Sequence, residues 1–351
     1  PLNTDGARCL YAPDIQQGPD GRYYLYYALD MAGIMSVAVC DTPTGSFQYY
    51  GSVRYPNGTI VGESHEDIFH FDPGVFMDDD ERVYLYTGFG PEDSEECDQL
   101  FKSRKYEGAY CIELEPDMLT VKAGPKLMIP KAGYASGTDF AGHEFFEASS
   151  MRKIGNTYYF IYSSINSHEL CYATSDRPDI GFIYGGTIIS NGDVYLNGRT
   201  EDQRLNYTGN NHGSIVEING QWYVFYHRQT NKHSYSRQAC AEKIAIDKDG
   251  FIKQVEMTSC GLNDGPLAGK GRYETYIACN LYSKQGAVHY YSNSQESYEG
   301  HPFFTQSGVD REEKGDQFIA NMQDGDVAGF KYFHLEGTTK ISVEVRGNAK
   351  G

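Results

Sequence analysis

The chain has 351 residues, of which 40% are hydrophobic, 14% aromatic and 22% charged, and its formal net charge is -18. This negative balance argues against nucleic acids and anionic membranes as partners, because both favour clustered Lys and Arg side chains. No apolar run approaches the ~18 to 20 residues of a membrane helix. The length allows a large core and more than one domain.

Eight cysteines are scattered along the chain without a C-x-x-C pair. In a chain of this length, such spacing favours reduced core thiols, so we expect a reducing compartment such as the bacterial cytoplasm. The chain begins with Pro1 instead of Met. Upstream sequence is therefore expected to be missing, and secretion stays open.

Four segments share one plan, in which a polar residue opens a short strand, a turn follows, and an aromatic strand returns. They span residues 11–27, 71–86, 143–162 and 211–226. Their polar residues are Asp14, Asp72, Glu147 and His212. The polar residue precedes the return strand by nine residues at Asp14, eleven at Asp72 and Glu147, and ten at His212. This repetition predicts an all-β propeller, whose inner strands bring the four side chains together at the central axis.

The remaining sequence predicts a second module. Residues 241–246 alternate, turn at Asp249-Gly250 and continue to Met257, and this stretch is expected to close the ring against an earlier blade. The aromatic repeat stops at about residue 261, whereas alternating strands such as 340–345 continue. We therefore expect a propeller over 1–260, incomplete at its N-terminus, and part of a β-sandwich over 261–351, incomplete at its C-terminus.

The carboxylates in this repeat indicate glycoside hydrolysis, which needs a pair of acids on either side of the scissile bond. Glu147 lies between Phe146 and Ala148, and dehydration there is expected to raise its pKa, as a proton donor requires. Glu144 is an alternative donor three residues earlier, but it falls outside the repeat register. A third acid on the axis would tune the pKa of the donor by its charge.

Four motifs also resemble family 43 glycoside hydrolases, with the closest likeness to β-xylosidases and α-L-arabinofuranosidases. They occur in the order YAPDI (11–15), FDPGVF (71–76), HEFFEASS (143–150) and YHR (226–228). The resemblance covers about residues 1–260. It implies a five-bladed propeller and an inverting enzyme that removes terminal α-L-arabinofuranosyl or β-D-xylosyl residues from xylan-derived oligosaccharides.

The resemblance also implies roles for the acids. Glu147 corresponds to the general acid and Asp72 to the residue that modulates its pKa. The family's general base lies in a first blade upstream of the APD motif, so we expect it to be missing here. Asp14 is the only registered acid left to stand in, but its family counterpart is not the base, and we expect Asp14 to bind substrate.

Further substrate and metal contacts follow from the same resemblance. Arg228 is expected to contact the sugar next to the scissile bond, and Tyr11 and Phe146 are expected to line it. Tyr11 replaces a Trp that is common in the family. His212 lies where family members use a histidine to coordinate calcium, directly or through water.

Two other functions stay open at this stage. Without a base, the propeller would bind sugars through its aromatic residues and Arg228 without hydrolysing them. Alternatively, the same scaffold would act as an endo-arabinanase if its axis were an open groove.

Overall fold

The computed structural model describes residues 9–232, 235–288, 298–308 and 316–347. Nearly all of its regular structure is β, and it contains one short α-helix, α1 (Glu95–Phe101), which Ser94 caps within the acidic loop after β6. Short 3-10 helices lie at Leu196–Gly198, Glu201–Gln203 and Thr275–Ile277. Within the described residues, no helix is long and apolar enough to span a membrane.

Four consecutive antiparallel sheets give a propeller-like arrangement with four blades. The first contains β1 (Leu10–Gln17), β2 (Tyr23–Leu29), β3 (Met35–Cys40) and β4 (Gln48–Ser52). The second contains β5 (Gly74–Met77), β6 (Val83–Phe89), β7 (Gly108–Leu114) and β8 (Val121–Pro130). The third contains β9 (Phe145–Ile154), β10 (Thr157–Ser164), β11 (Leu170–Ser175) and β12 (Ile183–Ile189). The fourth contains β13 (Ser214–Ile218), β14 (Gln221–Gln229) and β15 (Arg237–Ile244).

Each strand pairs with the next one along the chain, as in a propeller blade. The first strands of successive blades are neighbours, in the order β1, β5, β9 and β13. These strands and their return strands are the four hairpins that the sequence predicts, so that prediction is confirmed. The polar opening residues therefore all lie at the inner side of the ring.

Local sequence explains the hairpins. In β2, alternate residues Tyr24, Tyr26 and Ala28 are buried between blades, as the two-residue period of a strand requires. Asn219 and Gly220 link β13 to β14 with φ of 52° and 81°. Two positive φ values are typical of a type I′ hairpin turn, for which Asn-Gly is the preferred pair.

A glycine allows two inner strands to approach each other closely. A Cβ at Gly74, the first residue of β5, would lie 2.4 Å from the carbonyl oxygen of Ser149 in β9. Such a distance is a steric clash between a side chain and the backbone, so only glycine fits. This approach sets the spacing between the second and third blades next to Asp72 and Glu147.

One prediction about the later sequence holds only in part, and another is wrong. The strand expected to close the ring is β15, which pairs with β14 inside the fourth blade. Beyond it, Val255 N–H donates to Ile188 O of the third blade. Among the described residues, 340–345 form no strand, and Ile341, Val343 and Val345 are all exposed because no neighbouring strand covers them.

After residue 260 the described chain forms three two-stranded pairs. They are β16 (Leu267–Ala268) with β21 (Phe333–His334), β17 (Asn280–Tyr282) with β20 (Val327–Gly329), and β18 (Phe303–Gln306) with β19 (Gln317–Ala320). This region contacts the fourth blade through Arg228, whose guanidinium donates to Tyr276 O and Ala278 O.

Candidate active site

Asp72 and Glu147 come together where the inner strands of the second and third blades begin. The carboxylate of Asp72 accepts a hydrogen bond from the N–H of Ala148, the residue after Glu147, and the charge of Glu147 acts on Asp72. Asp72 is 4% exposed, and the side chain of Glu147 is 16% exposed. The structure thus forms a close pair of dehydrated carboxyl groups, with Glu147 the more open to a ligand.

The backbone around this pair adopts the left-handed region at residues other than glycine. The φ angles are 45° at Asp72 and 72° at Ala148, and Ala12 of the first blade has 41°. Such conformations cost on the order of 1–3 kcal/mol each and concentrate at functional sites. Here they bend the entrances of the inner strands, and the register of β9 with β10 shifts next to Glu147.

Two histidines contact the two acids. Nδ1 of His212 lies 3.6 Å from Oδ2 of Asp72, which joins the fourth blade to the second. Nε2 of His168 lies 3.4 Å from Oε1 of Glu147. Sequence analysis placed His212 here but missed His168, because His168 lies in the turn between β10 and β11, outside the repeat.

The protonation of the two acids differs from the expectation for Glu147. Burial and the charge of Glu147 raise the pKa of Asp72 well above its ordinary value. Burial also acts to raise the pKa of Glu147, but the contact with His168 and the charge of Arg237 bring it below its ordinary value. The expectation of a raised pKa at Glu147 is therefore wrong, because the raised pKa of the pair belongs to Asp72.

Arg237, at the start of β15, is the arginine near the acids. Its charge acts on Asp72, Glu147 and His212, and its Nη1 lies 3.1 Å from Nε2 of His227. Burial, together with the charge of Arg237, lowers the pKa of His227 to about 2, so His227 is neutral. Arg237 is a second residue that sequence analysis missed.

The structure does not bring Arg228 to the acids. Its side chain is 3% exposed. Nε donates to Gln238 Oε1 at 2.9 Å, Nη1 to Ala278 O at 2.7 Å and Nη2 to Tyr276 O at 2.5 Å, and the guanidinium lies 3.9 Å from the ring centroid of Phe304. Arg228 and the neighbouring His227 point to opposite sides of β14 because successive side chains in a strand alternate. The predicted sugar contact is therefore corrected to a contact with the C-terminal region.

Aromatic rings form one continuous wall from Tyr11 to the acids. Successive ring centroids are 5.1 Å apart for Tyr11 and Phe71, 5.2 Å for Phe71 and Phe89, and 5.2 Å for Phe89 and Phe146. Phe146 then meets the ring of His168 at 4.6 Å. Tyr11 and Phe146, which the sequence singled out together, thus belong to the same partly buried wall beside Glu147.

Asp14 occupies a different register from Asp72. Its carboxylate accepts N–H bonds from Val75 at 2.8 Å and from Ile15 at 3.0 Å. Burial nevertheless raises the pKa of Asp14, while the charge of Arg152 opposes this effect. Asp14 pairs with Tyr26 in β2, and the equivalent pair in the second blade is Gly74 with Tyr86. Asp14 therefore matches Gly74, two residues further along the inner strand than Asp72, and ties the first blade to the second.

A group of potential metal-binding residue types lies near His143. Nδ1 of His143, a carboxylate oxygen of Glu169 and Sγ of Cys171 all lie within 4.8 Å of one another. The carboxylate of Glu169 already accepts hydrogen bonds from His143, Ser164 and Thr187 on its two oxygens. Because these bonds satisfy both oxygens, we interpret the group as a hydrogen-bonded cluster.

Comparison with known proteins gives consistent matches. The family model "Glycosyl hydrolases family 43" matches residues 1–252. A xylosidase/arabinosidase of Thermoclostridium stercorarium is 53% identical over 352 residues, covering 100% of this chain and 72% of the relative. A β-xylosidase of Xylanibacter ruminicola is 31% identical over 254 residues, covering 68% of this chain and 72% of that protein.

A similar solved structure agrees with these matches. It is a family 43 β-xylosidase/α-arabinofuranosidase from a compost microbial metagenome, in complex with xylotriose and in a calcium-free form. Its TM-score is 0.51 at 27% identity, and the alignment covers 71% of this chain and 74% of that one.

Proposed function

The chain belongs to glycoside hydrolase family 43 and is a glycosidase, and we propose that it removes terminal α-L-arabinofuranosyl or β-D-xylosyl residues from xylan-derived oligosaccharides. The observation that carries this proposal is the dehydrated pair of Asp72 and Glu147 beside the aromatic wall. The relatives named for xylosidase and arabinosidase activity support the sugar class. They favour this function over the endo-arabinanase and the non-catalytic sugar-binding protein.

In this proposal, Glu147 protonates the leaving glycosidic oxygen. Asp72 is the modulator, because its buried carboxyl group holds the proton that the pair shares. The pair thus retains one proton at pH values where isolated carboxyl groups are ionised. In the reactive state Glu147 carries the shared proton, and it transfers this proton to the leaving oxygen as the bond between that oxygen and the anomeric carbon breaks. Both carboxyl groups are then ionised.

Other residues bind the sugar in this scheme. Arg237 replaces Arg228 as the proposed cation at the sugar, since its charge reaches both acids. Tyr11 and Phe146 contribute apolar surface on which a sugar ring stacks. Asp14 is given a supporting role between blades, because both of its oxygens accept backbone N–H bonds. We assign none of the three acids Glu147, Asp72 and Asp14 as the general base that activates water in the inverting reaction.

The residues described at His212 do not fit a calcium site. Calcium takes six to eight oxygen ligands, whereas the carboxylates that act on His212 are those of Asp72 and Glu147, and the positive charge of Arg237 also acts on it. Burial lowers the pKa of His212 to about 4, so a neutral imidazole beside Asp72 accounts for the contact. We therefore derive no chemical step through calcium.

The proposal also extends to the architecture. We propose that the four blades belong to a five-bladed ring and that residues 261–351 are part of a β-sandwich module, as the family resemblance implies. An experimental structure of the full-length protein tests both points, and a closed four-bladed ring would contradict them.

Glu147→Gln tests the assignment of the acid. With arabinose- or xylose-substituted xylo-oligosaccharides, kcat/KM is expected to fall by about 10² to 10⁴, the usual contribution of a general acid. With a dinitrophenyl glycoside the loss is expected to be much smaller, because that leaving group departs without a proton.

The matched control is Glu144→Gln, which makes the same change three residues earlier on the same segment. It is expected to retain activity within a few-fold. A loss below tenfold in Glu147→Gln with the oligosaccharide, or an equal loss in the control, would reject the assignment. Saturable sugar binding by the wild type without any turnover would instead support the non-catalytic function.

A further inference from the structure

The turn between β10 and β11 carries a side chain that contacts the proposed acid. His168 is 2% exposed, and its Nε2 lies 3.4 Å from Oε1 of Glu147. Its ring packs edge-on against Phe146, with an interplanar angle of 75°. His168 therefore contacts both the carboxylate and the aromatic wall, and a small movement of the turn would change the environment of Glu147.

This turn has an unusual backbone. Ser167 and His168 have φ of 55° and 51°, so two successive residues other than glycine are left-handed. Each costs on the order of 1–3 kcal/mol and persists only where the surroundings hold it. Within the turn, Ser164 N–H donates to Glu169 O and Glu169 N–H donates to Asn166 O. These local bonds close the turn, but they do not fix where His168 points.

The side chain of Glu169 connects the turn to the segment that carries the acid. Glu169 is 0% exposed, and its Oε1 accepts from His143 Nδ1 at 2.5 Å and from Ser164 Oγ at 2.9 Å. Its Oε2 accepts from Thr187 Oγ1 at 2.7 Å. Hydrogen bonds in which a partner is charged are roughly twice as strong as neutral ones.

His143 is itself held in place. Its ring stacks on Tyr184 with centroids 4.5 Å apart and an interplanar angle of 13°. Burial acts to lower the pKa of His143, but the hydrogen bond and charge of Glu169 raise it above its ordinary value. The backbone of the same segment is also tied to the turn, since Ile165 N–H donates to Glu144 O and Asn166 Nδ2 donates to Gly142 O.

We propose that Glu169 and His143 are positioning residues, which hold the β10–β11 turn so that His168 stays against Glu147. This inference rests on the proposed function, in which Glu147 is the acid. Neither Glu169 nor His143 touches the reacting atoms in this scheme. They act through His168, the residue adjacent to Glu169 in the chain.

Several other ionisable groups surround the Glu147–His168 pair and the Glu169–His143 pair, and each of these groups is unchanged in the variants below. Those that act on Glu147 besides His168 are Asp72, His212 and Arg237. Those around His143 and Glu169 are Glu144, Cys171, Tyr162, Tyr184 and Tyr195.

The experiment measures pH profiles of kcat/KM for the wild type and four variants. His168→Asn removes the contact with Glu147, and Asn tolerates the left-handed backbone, so the turn is preserved. Loss of the contact stabilises the protonated acid relative to its anion, so the alkaline limb is expected to move to higher pH by roughly one unit. Glu169→Gln removes the charge that pairs with His143 and is expected to move the same limb in the same direction.

The double variant decides whether Glu169 acts through His168. The profile of His168→Asn/Glu169→Gln is expected to match that of His168→Asn alone, because the contact is already absent. Asp78→Asn is the matched control, since Asp78 is a buried carboxylate bonded to Lys153 Nζ at 2.6 Å and Tyr158 OH at 2.5 Å in the hairpin-turn region. It is expected to lower stability and leave the limb unmoved.

An unmoved limb in folded Glu169→Gln, or additive shifts in the double variant, would overturn the proposal. If Glu169→Gln does not fold, Thr187→Val removes only the hydroxyl donor to Oε2, and a smaller shift in the same direction is expected. An unmoved limb there would equally overturn it. Full activity in Glu147→Gln would instead reject the proposed function, so the two failures are distinguishable.

Discussion

The two arginines of the fourth blade give opposite expectations for stability and activity. Arg228 is buried and donates three hydrogen bonds, to Gln238 Oε1, Tyr276 O and Ala278 O. Arg228→Met leaves a shorter apolar side chain and removes all three donors. Tyr276 O still accepts from Gln238 Nε2, so Gln238 Oε1 and Ala278 O are the acceptors that lose the donor. A buried acceptor without a partner costs about 1–3 kcal/mol. Relief of the buried charge offsets part of this cost, so we expect a net loss of about 3 kcal/mol.

That loss converts to a decrease in Tm of roughly 4 °C for a protein of this size. The assay is a thermal melt of Arg228→Met beside the wild type, followed by kcat/KM at a temperature where both are folded. Because the guanidinium faces the C-terminal region, kcat/KM is expected to stay within about threefold of wild type.

Arg237→Met is the matched comparison. Arg237 is exposed at the start of β15, and its charge acts on Asp72 and Glu147. We expect little change in Tm and a decrease in kcat/KM of roughly 10- to 100-fold, the equivalent of one hydrogen bond to a charged group. An unchanged Tm in Arg228→Met together with a KM raised more than tenfold would refute this reasoning and restore Arg228 as the sugar ligand.

Two further predictions concern carboxyl groups whose pKa burial raises. Asp72→Asn removes the group that holds the shared proton, so the alkaline limb of kcat/KM is expected to move to lower pH; an unmoved limb in a pH profile would contradict the modulator role. Burial raises the pKa of Glu242 to about 7. The contribution of Glu242 to the free energy of unfolding is therefore fully present below about pH 4.5 and is lost as pH rises through about 7. Glu242→Gln cannot ionise, and its free energy of unfolding relative to wild type is expected to increase by about 2–3 kcal/mol from pH 5 to pH 8. Urea denaturation at both pH values measures this difference, and equal differences would show that Glu242 does not ionise in this range.

The hairpins were predictable because their signals are local. Alternating aromatic residues and an Asn-Gly turn define a strand pair within about fifteen residues, without any contribution from the rest of the fold. The meeting of Asp72, Glu147 and His212 followed from the repeat, since equivalent positions of a propeller converge on its axis. The pairing of β15 was harder to predict, because alternation alone does not tell which neighbour a strand joins.

His168 and Arg237 had no comparable signal. His168 lies in a turn and reaches Glu147 only because two residues adopt a left-handed backbone, which a Ser-His sequence does not indicate. For Arg228, the alternation of side chains along a strand could have shown that it does not share a face with His227. His227 and Arg228 are adjacent in β14, so only one of them faces His212, and it is His227, whose ring centroid is 6.4 Å from that of His212.

The position of Asp14 shows how much a small difference in spacing means in this fold. Asp14 precedes its return strand by nine residues and Asp72 by eleven. Strand pairing shows the effect of this difference. Asp14 is opposite Tyr26, and Gly74 is opposite the equivalent Tyr86, so Asp14 is equivalent to Gly74 and not to Asp72. The residue of the first blade that matches Asp72 is therefore Ala12, which shares its left-handed backbone but carries no acid. A shift of two residues preserves the side-chain face of a strand, so Asp14 still points inward, yet it reaches Val75 N–H instead of the paired acids. A polar residue in each repeat is thus insufficient to define this site, and its register against the return strand decides which residues meet.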